Sequence, residues 1–572
     1  MFFIRRHFKF LIAILTITLL IPGLLNRHND IASCEIRFTS PSGFYEDTLE
    51  LGIEGGEDFD IYYTLDGSVP TRDSILYQPG GVITISDASE NENVLSKRTD
   101  ISTGYSEYAE YASSAPGYAV PEHKVDKCTI VRAAAFPKVG NALHSIQGLY
   151  FVGFQSKPAY QNVFVVSIHA NPGDLFDYDT GILVTGKIFD EYVKSSLNEN
   201  GDFAPTDVHA NHYWWWPSNY SKGGKQWERQ VRITVFDMQR EIQLDQQCGI
   251  RIHGGGSRGY PSKSIRCVAR KEYAGEDTFP VDWFGAEINP RKFVLYSGGD
   301  DHVFKLRDYL GQTLAQPLSF ATQDFIPCCL FINGEYWGFY YLSENYNKNY
   351  ISDHYDVTED NVILVKSGAL EEGTNRDIHL FNDMRRFITR NDMSAEENYR
   401  AACELIDIDS YIDYFAFQIY TGRNTDWPRG NYGLWRVRNR EESPFGDGKW
   451  RWMLYDLNSG DGMTLEALPE DTLAFVFSRD SMFKSLWKSP EFRNRFSERI
   501  LEIGSTLLSA EACEEFINDY DAAFRGQIAL NSKRFFNSEK EEEYTAYLDE
   551  MRTFFSERYP VVQQFLADHM EP

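Results

Sequence analysis

Two different hydrophobic periods divide this chain. Between residues 35 and 155 the apolar residues fall in short runs bounded by Gly, Asp and Pro: "TLELGIEGG", "FDIYYTLDG", "GVITISD" and "CTIVRAAAF". Between 465 and 572 they recur at helical spacing, as in "SPEFRNRFSERILEIGSTLL" and "YLDEMRTFFSERYPVVQQFL". Regularly spaced short strands predict a small β-sandwich, and the second pattern predicts amphipathic helices. At 572 residues the chain also exceeds what one core organises. The expectation is a multidomain α+β protein with a small N-terminal β-sandwich.

An apolar share of 42% with 15% aromatics supplies packed cores and excludes general disorder. The 84 acidic and 56 basic side chains leave a formal charge of −28. That charge argues against nucleic acid and anionic membrane surfaces as partners of the body, and it suits metal ions and a solvated extracellular surface. The N-terminus departs from this balance. Arg5, Arg6 and Lys9 precede an apolar run from Phe10 to Leu25, which reads as a secretory signal or signal anchor over residues 1–30. The chain beyond residue 30 would then be extracytoplasmic, secreted or held to the membrane by this segment alone. "IASC" at Ile31–Cys34 is similar to a lipoprotein cleavage box, but "NRHND" separates it from the apolar run, so acylation of Cys34 is not expected. The eight cysteines show no CxxC and no Cys/His ligand spacing; they read as buried small residues with one or two bridges.

Residues 160–250 predict strands at Val163–Ile168 and Val231–Phe236, separated by a long aromatic insertion. Trp214, Trp215 and Trp216 in succession would alternate faces on a strand, so a packed insertion is expected rather than a flat sugar platform. Glu90–Pro121, rich in Ser, Glu, Tyr and Ala, reads as an insertion within the first module. Beyond Cys248, "GIRIHGGGSRGYPSKS" reads as strand, glycine turn, strand. Val303, Leu306, Leu310 and Leu314 mark a helix, Asn333-Gly334 marks a hairpin, and "DIDSYIDYFAFQIYTG" is an apolar helix.

That helix leads into "NTDWPRGNYGLWR", where Asp426 precedes Asn431 by five positions; Asp456 ends the apolar run "WRWMLYD". Phosphoryl transfer needs a metal on carboxylate and amide oxygens, a cation on the phosphates and an aspartate to orient the attacking hydroxyl. In protein kinases the loop aspartate and its metal-binding asparagine stand five apart, and a second aspartate comes later at a strand end. Such a pair alone equally marks turns and caps. Gly254, Gly255 and Gly256 between two strands let phosphates approach backbone N–H groups, with Lys263 on the second strand as their cation. The spacing fits neither a Walker loop nor the usual kinase glycine loop, and a flexible hairpin is the plain alternative.

"GIRIHGGGSRGYPSKSIRCVARKEYAGEDTFP", "KLRDYLGQTLAQ", "FINGEYWGFYYLSENYNKNYI", "NTDWPRGNYGLWR" and "WMLYDLNSGDG" occur in an order that resembles the CotH family, spore-coat-H-like atypical kinases. The resemblance runs over residues 160–570 and implies a kinase-like α/β domain at 160–572: a β-rich lead-in at 160–250 and a helical region at 465–572. It implies transfer of the ATP γ-phosphate, with Mg²⁺ or Mn²⁺, to Ser/Thr hydroxyls of secreted or surface proteins. Carried over by position, Asp426 is catalytic and Asn431 and Asp456 bind metal. Lys263, the glycines and Glu344, near the hinge, bind nucleotide, and Asp308 is the acidic partner of the lysine. Surface pairing of Asp308 with Lys305 or Arg307 is the structural alternative. Relatives often carry "DLD" where this chain has "DLN", so Asn458 replaces a carboxylate and weaker metal binding is implied. "IYYTLDGSVPTRDSILY" resembles the immunoglobulin-like module at the C-terminus of chitobiases and hexosaminidases, which implies a binding or spacing module at 35–155 and a contact with polysaccharide. The alternative function is a kinase-fold surface protein without catalysis that binds polysaccharide or protein; a glycosidase has no carboxylate pair to support it.

Overall fold

A computed structural model describes residues 35–112, 117–208, 210–285, 288–460 and 462–570. The N-terminal apolar run and Cys34 lie outside the described residues. Among those described, no helix is long and apolar enough to cross a membrane. The chain forms two compact units, one from residues up to 92 together with 126–157, the other from 93–125 together with 158 onward.

The first unit is all β. Its strands are β1 (Ile36–Phe38), β2 (Gly43–Tyr45), β3 (Leu49–Leu51), β4 (Ile53–Gly55), β5 (Asp60–Thr64), β6 (Ile75–Leu76), β7 (Ile83–Ile85), β8 (Thr129–Phe136) and β9 (His144–Val152). They pair as a five-stranded sheet, β2-β9-β8-β5-β6, and two ribbons, β1-β4 and β3-β7. Alternate residues Val131, Ala133 and Ala135 of β8 share one core with Leu51, Ile85 and Tyr150, as a period of two requires. After β5 the chain reverses at Asp66-Gly67. Gly67 takes φ 77°, and Asp66 accepts the Ser68 N–H at 3.0 Å.

The second unit opens with a barrel of β10 (Phe164–His169), β11 (Arg229–Phe236), β12 (Ile242–Ile252), β13 (Ile265–Val268), β14 (Lys292–Tyr296), β15 (Phe325–Ile332) and β16 (Glu335–Glu344). It runs β10-β11-β12-β13-β14-β16-β15 and closes where β10 pairs in parallel with β15. The lead-in strands are therefore walls of the barrel. Asn333 (φ 46°) and Gly334 (φ 89°) make the tight β15–β16 hairpin, both residues taking the left-handed conformation that a two-residue turn favours. Cys248, Cys267 and Cys328 fill the barrel core as small apolar side chains. The expected bridges are not found: all seven described cysteines are free, and only Cys403 is not fully buried.

After the barrel come β17 (Val362–Lys366), β18 (Ala369–Glu372), β19 (Gly433–Val437) and β20 (Arg451–Met453), a sheet in the order β18-β17-β19-β20. Helix Ile408–Tyr420 packs on β20 and on helix Pro490–Ser505, and every residue from Ser410 to Tyr420 is buried. This explains its lack of a polar face. Helix Ala510–Phe536 packs along β16, and helix Glu541–His569 lies against it. The fold is multidomain α+β, with the β-rich module first and the helical region last.

Asn93–Val125 belongs to this second unit although it interrupts the first in sequence. The Glu335 carboxylate, 6% exposed, accepts the backbone N–H groups of Val94, Leu95 and Ser96 at 2.6–3.1 Å, and Ile101 enters the barrel core.

Candidate active site

A cleft of about 770 Å³ separates the barrel from the four-stranded sheet and its helices. Strand parity decides which side chains reach it. Ser264 and Arg266 line it from β13 and the residue before it, Val294 and Tyr296 from β14, and Leu364 and Lys366 from β17. Lys263, of the opposite parity, does not. It is 1% exposed, donates to the Arg258 and Tyr260 carbonyls at 2.6 and 2.7 Å, and lies 3.7 Å from the centre of the Tyr220 ring. Burial pushes its ammonium well below the ordinary lysine range. The expected phosphate-binding role of Lys263 is thus corrected: it ties the turn after the glycine loop. The cations lining the cleft are Arg258, which donates to the Gly254, Ser221 and Lys222 carbonyls, Arg266, whose guanidinium meets His253 Nδ1 at 2.7 Å, and Lys366, 4.4 Å from the centre of the Tyr455 ring. Lys263→Met is expected to lower thermal stability by roughly 2 kcal/mol, because two buried carbonyls lose their donor. Arg266→Ala should instead weaken nucleotide binding with little change in stability. Thermal shift with and without nucleotide separates them, and the opposite pattern would restore Lys263 to the site.

Gly254 (φ 107°), Gly255 and Gly256 line the cleft as expected. They also make room for the tryptophans. A Cβ on Gly256 would stand 2.8 Å from Trp214 Cδ1 and 3.0 Å from Trp215 Cε2. Trp216 is fully buried against Phe189 and Phe203, whereas Trp215, 44% exposed, lines the cleft over the loop. The aromatic insertion is a packed one.

Asp426 follows helix Ile408–Tyr420 and faces the cleft with 44% of its side chain exposed. Asn431 donates to its Oδ2; Arg423 and Ser459 lie at 3.4 Å from its Oδ1. Arg423, 1% exposed, also donates to the Ser459 carbonyl and so bridges the two segments of the site. The loop is anchored below by Trp427, 0% exposed, whose Nε1–H donates to Tyr414 Oη at 3.0 Å. Asn431 (φ 46°) and Asp456 (φ 55°) both adopt the left-handed conformation, a strained choice that clusters at functional sites.

Asp308, on helix Leu306–Ala315, is not the partner of a lysine. Lys305 donates to the Ser297 carbonyl and Arg307 pairs with Asp301, so neither proposed surface pair forms. Asp308 is 4% exposed and turned toward Asp456. Between them stands Asn458, 2% exposed. The two hydrogens of its Nδ2 are shared among three neighbouring oxygens, Asp308 Oδ2 at 2.5 Å, Asp456 Oδ1 and Tyr296 Oη at 2.7 Å, and its Oδ1 accepts the Asp300 N–H at 2.8 Å. Asp308 also accepts the Leu457 N–H at 2.6 Å and the Tyr296 hydroxyl. Gly299 (φ 57°) permits this packing, since a Cβ there would come within 2.4 Å of Asn458 Oδ1. Burial raises both carboxyls; Asp456 is raised further by the Asp308 charge, against the pull of Arg423 and Lys366.

Among the described residues no group of three or more His, Cys, Asp or Glu side chains is arranged to hold a metal ion. The donor set here is different: the carboxylates of Asp456 and Asp308 share the cleft with the Asn431 amide, while Asn458 turns its N–H groups to both carboxylates. Two adjacent carboxylates, Asp308 buried and Asp456 half-buried, with no ion pair to either among the described residues, fit a hard divalent ion that takes oxygen ligands and keeps some water. Asn458→Asp would place a third carboxylate among them. Without divalent ions it is expected to destabilise the protein by roughly 3 kcal/mol at pH 7, through an unpaired buried charge. The folded state would hold that proton more tightly than the unfolded chain, so the loss appears as pH rises above the carboxylate range and fades below it. Urea unfolding at pH 4 and pH 7, with and without Mg²⁺, measures this. A pH-independent loss would mean packing, not charge, explains the asparagine.

Glu344 ends β16 and lines the cleft, but its carboxylate is committed elsewhere. It is 4% exposed, bonds His354 Nε2 at 2.6 Å and accepts the Asp324 N–H at 2.9 Å. Burial opposes a charged imidazole, but the bond to Glu344 outweighs it and holds His354 above its ordinary value. Nothing in the sequence near "DLN" signalled Tyr296, Gly299, Asp300 or Lys366, which reach the site from two other segments.

The model of the family described as CotH kinase protein matches residues 250–562, more than half of the chain. That of the chitobiase/beta-hexosaminidase C-terminal domain matches residues 40–94, within the first unit. No curated protein matches the chain. Apart from Trp214 and Trp215, the residues lining the cleft, the Asp426–Asn431 loop and the acid pair among them, lie within the first of these spans, and the chain belongs to the CotH kinase protein family.

Proposed function

We propose that this protein is an extracytoplasmic, metal-dependent protein kinase that transfers the ATP γ-phosphate to Ser or Thr hydroxyls of secreted or surface proteins. The observation behind this reading is the convergence of Asp426, Asn431, Asp456 and Asp308 on one cleft beneath the glycine loop. Asp426, open to the cleft, is placed to accept the hydroxyl proton of an acceptor residue. Asp456 and Asn431, with Asp308 and Asn458 beside them, would hold Mg²⁺ or Mn²⁺. That ion, when bound, neutralises charge on the transferring phosphate. Arg266 and Lys366 bring positive charge to the phosphates, and the loop Gly254–Gly256 offers backbone N–H groups.

A second reading, a kinase-fold scaffold without catalysis that binds polysaccharide through the first module, is favoured by the withdrawal of Lys263 from the cleft. One experiment decides between them. The full chain is incubated with γ-labelled ATP and Mg²⁺ or Mn²⁺, and its thermal stability is read with a non-hydrolysable analogue. Phosphate incorporation that EDTA abolishes is expected. A metal-dependent stabilisation of about 2.7 kcal/mol is also expected at ligand a hundredfold above Kd. Absence of both leaves the scaffold.

A further inference from the structure

Behind the catalytic loop lies a second pocket of about 210 Å³, room for one amino-acid side chain and too small for a nucleotide. One wall is the loop itself, at Trp427, Pro428 and Arg429, and Ser367 lines both this pocket and the cleft, so the two openings adjoin. The inner wall is aromatic. It includes Tyr411, 1% exposed, whose hydroxyl has no hydrogen-bond partner among the described residues. Three arginines line it from separate segments: Arg385 of helix Ile378–Arg390, Arg429 of the loop and Arg479 of helix Thr472–Arg479.

None of the three forms an ion pair among the described residues. Arg385 and Arg479 lie over Phe381 and Phe475 of their own helices, at 5.5 and 4.9 Å, and the charge of Arg385 also acts on Asp480 across the pocket. Arginines elsewhere are mostly paired, such as Arg438 with Asp377 and Arg499 with Asp413. The one acid lining the pocket, Asp480, accepts the Phe483 N–H at 2.7 Å as a helix cap. Three guanidinium groups against the one carboxylate of Asp480, in a chain of net charge −28, are a local reversal of sign. Guanidinium groups bind carboxylates through paired N–H donors, and here Arg429 and Arg479 reach the pocket from its exposed rim while Arg385 is half-buried.

We propose that this pocket takes an acidic side chain, Asp or Glu, of the acceptor protein close in sequence to the residue that is phosphorylated. The proposal rests on the kinase reading for its place beside the acceptor, but it can be tested by binding alone. Two labelled peptides are compared, identical but for Glu or Gln at the positions flanking one serine, and fluorescence anisotropy is read on the full-length Asp426→Asn chain. The Glu peptide is expected to bind about tenfold more tightly, the effect of one charge-assisted pair, and the margin should shrink with added salt. In an added Arg385→Gln, Arg479→Gln pair the Glu peptide should fall to the affinity of the Gln peptide, which itself should not change. Equal affinities, or a preference untouched by the two arginine changes, overturns the proposal. Turnover of the same peptides by the unmodified chain reads the kinase assignment separately. A Glu preference without turnover leaves the acid-binding pocket and removes phosphoryl transfer; turnover without preference does the reverse.

Discussion

Asp426→Asn is expected to reduce phosphate incorporation by roughly 10² to 10⁴, the share a positioned general base contributes, while nucleotide binding and folding stay intact. The expectation comes from how lightly the fold uses this carboxylate. It is 44% exposed, and its contacts with Arg423, Ser459 and Thr425 are at 3.4–3.5 Å. Asparagine keeps the shape and one acceptor oxygen for Asn431. What it loses is the charge and the capacity to take a proton. Stability should therefore move by less than about 0.5 kcal/mol, as for a surface change. Incorporation within a few-fold of the unmodified chain would show that Asp426 takes no part in the chemistry.

Trp427→Ala should be the most destabilising change near the site, at about 3–5 kcal/mol. The indole is fully buried, its ring centre 5.4 Å from that of Phe415, and its N–H is the donor to Tyr414. Truncation leaves a large void under the loop that carries Asp426 and Asn431 and takes the Tyr414 hydroxyl's shorter donor, leaving it only Gln418 Nε2 at 3.3 Å. Incorporation should fall with stability, and Trp427→Phe should recover part of the stability but not the hydrogen bond. Denaturant midpoints of the two variants give the comparison. A loss below about 1 kcal/mol for the alanine variant would mean the loop is held by its other contacts.

Much of the architecture is legible in the sequence because it rests on local pattern. The alternation in "CTIVRAAAF", the Asn333-Gly334 turn and the unbroken apolar run at Ile408–Tyr420 each fix an element without reference to the rest. The spacing of Asp426 and Asn431 is legible for the same reason. Lys263 shows where local pattern stops. Its distance from the glycine loop is right, but parity on the adjoining strand sends it away from the cleft and Arg266 into it. Asn458 shows a second limit. From sequence it is a lost carboxylate; in the fold it is the amide that lets Asp308 and Asp456 stand side by side, and its partners come from residues about 150 positions away. Asn93–Val125 shows a third, since nothing in its composition says which core it joins.

That segment bears on how the protein is made. Val94, Leu95 and Ser96 leave the ribosome some 240 residues ahead of Glu335, the side chain that caps their N–H groups. At usual elongation rates, of about 5–20 residues per second, the strip waits tens of seconds with Ile101 unburied. Over that interval, nascent chains should be the species most prone to capture by chaperones or by one another.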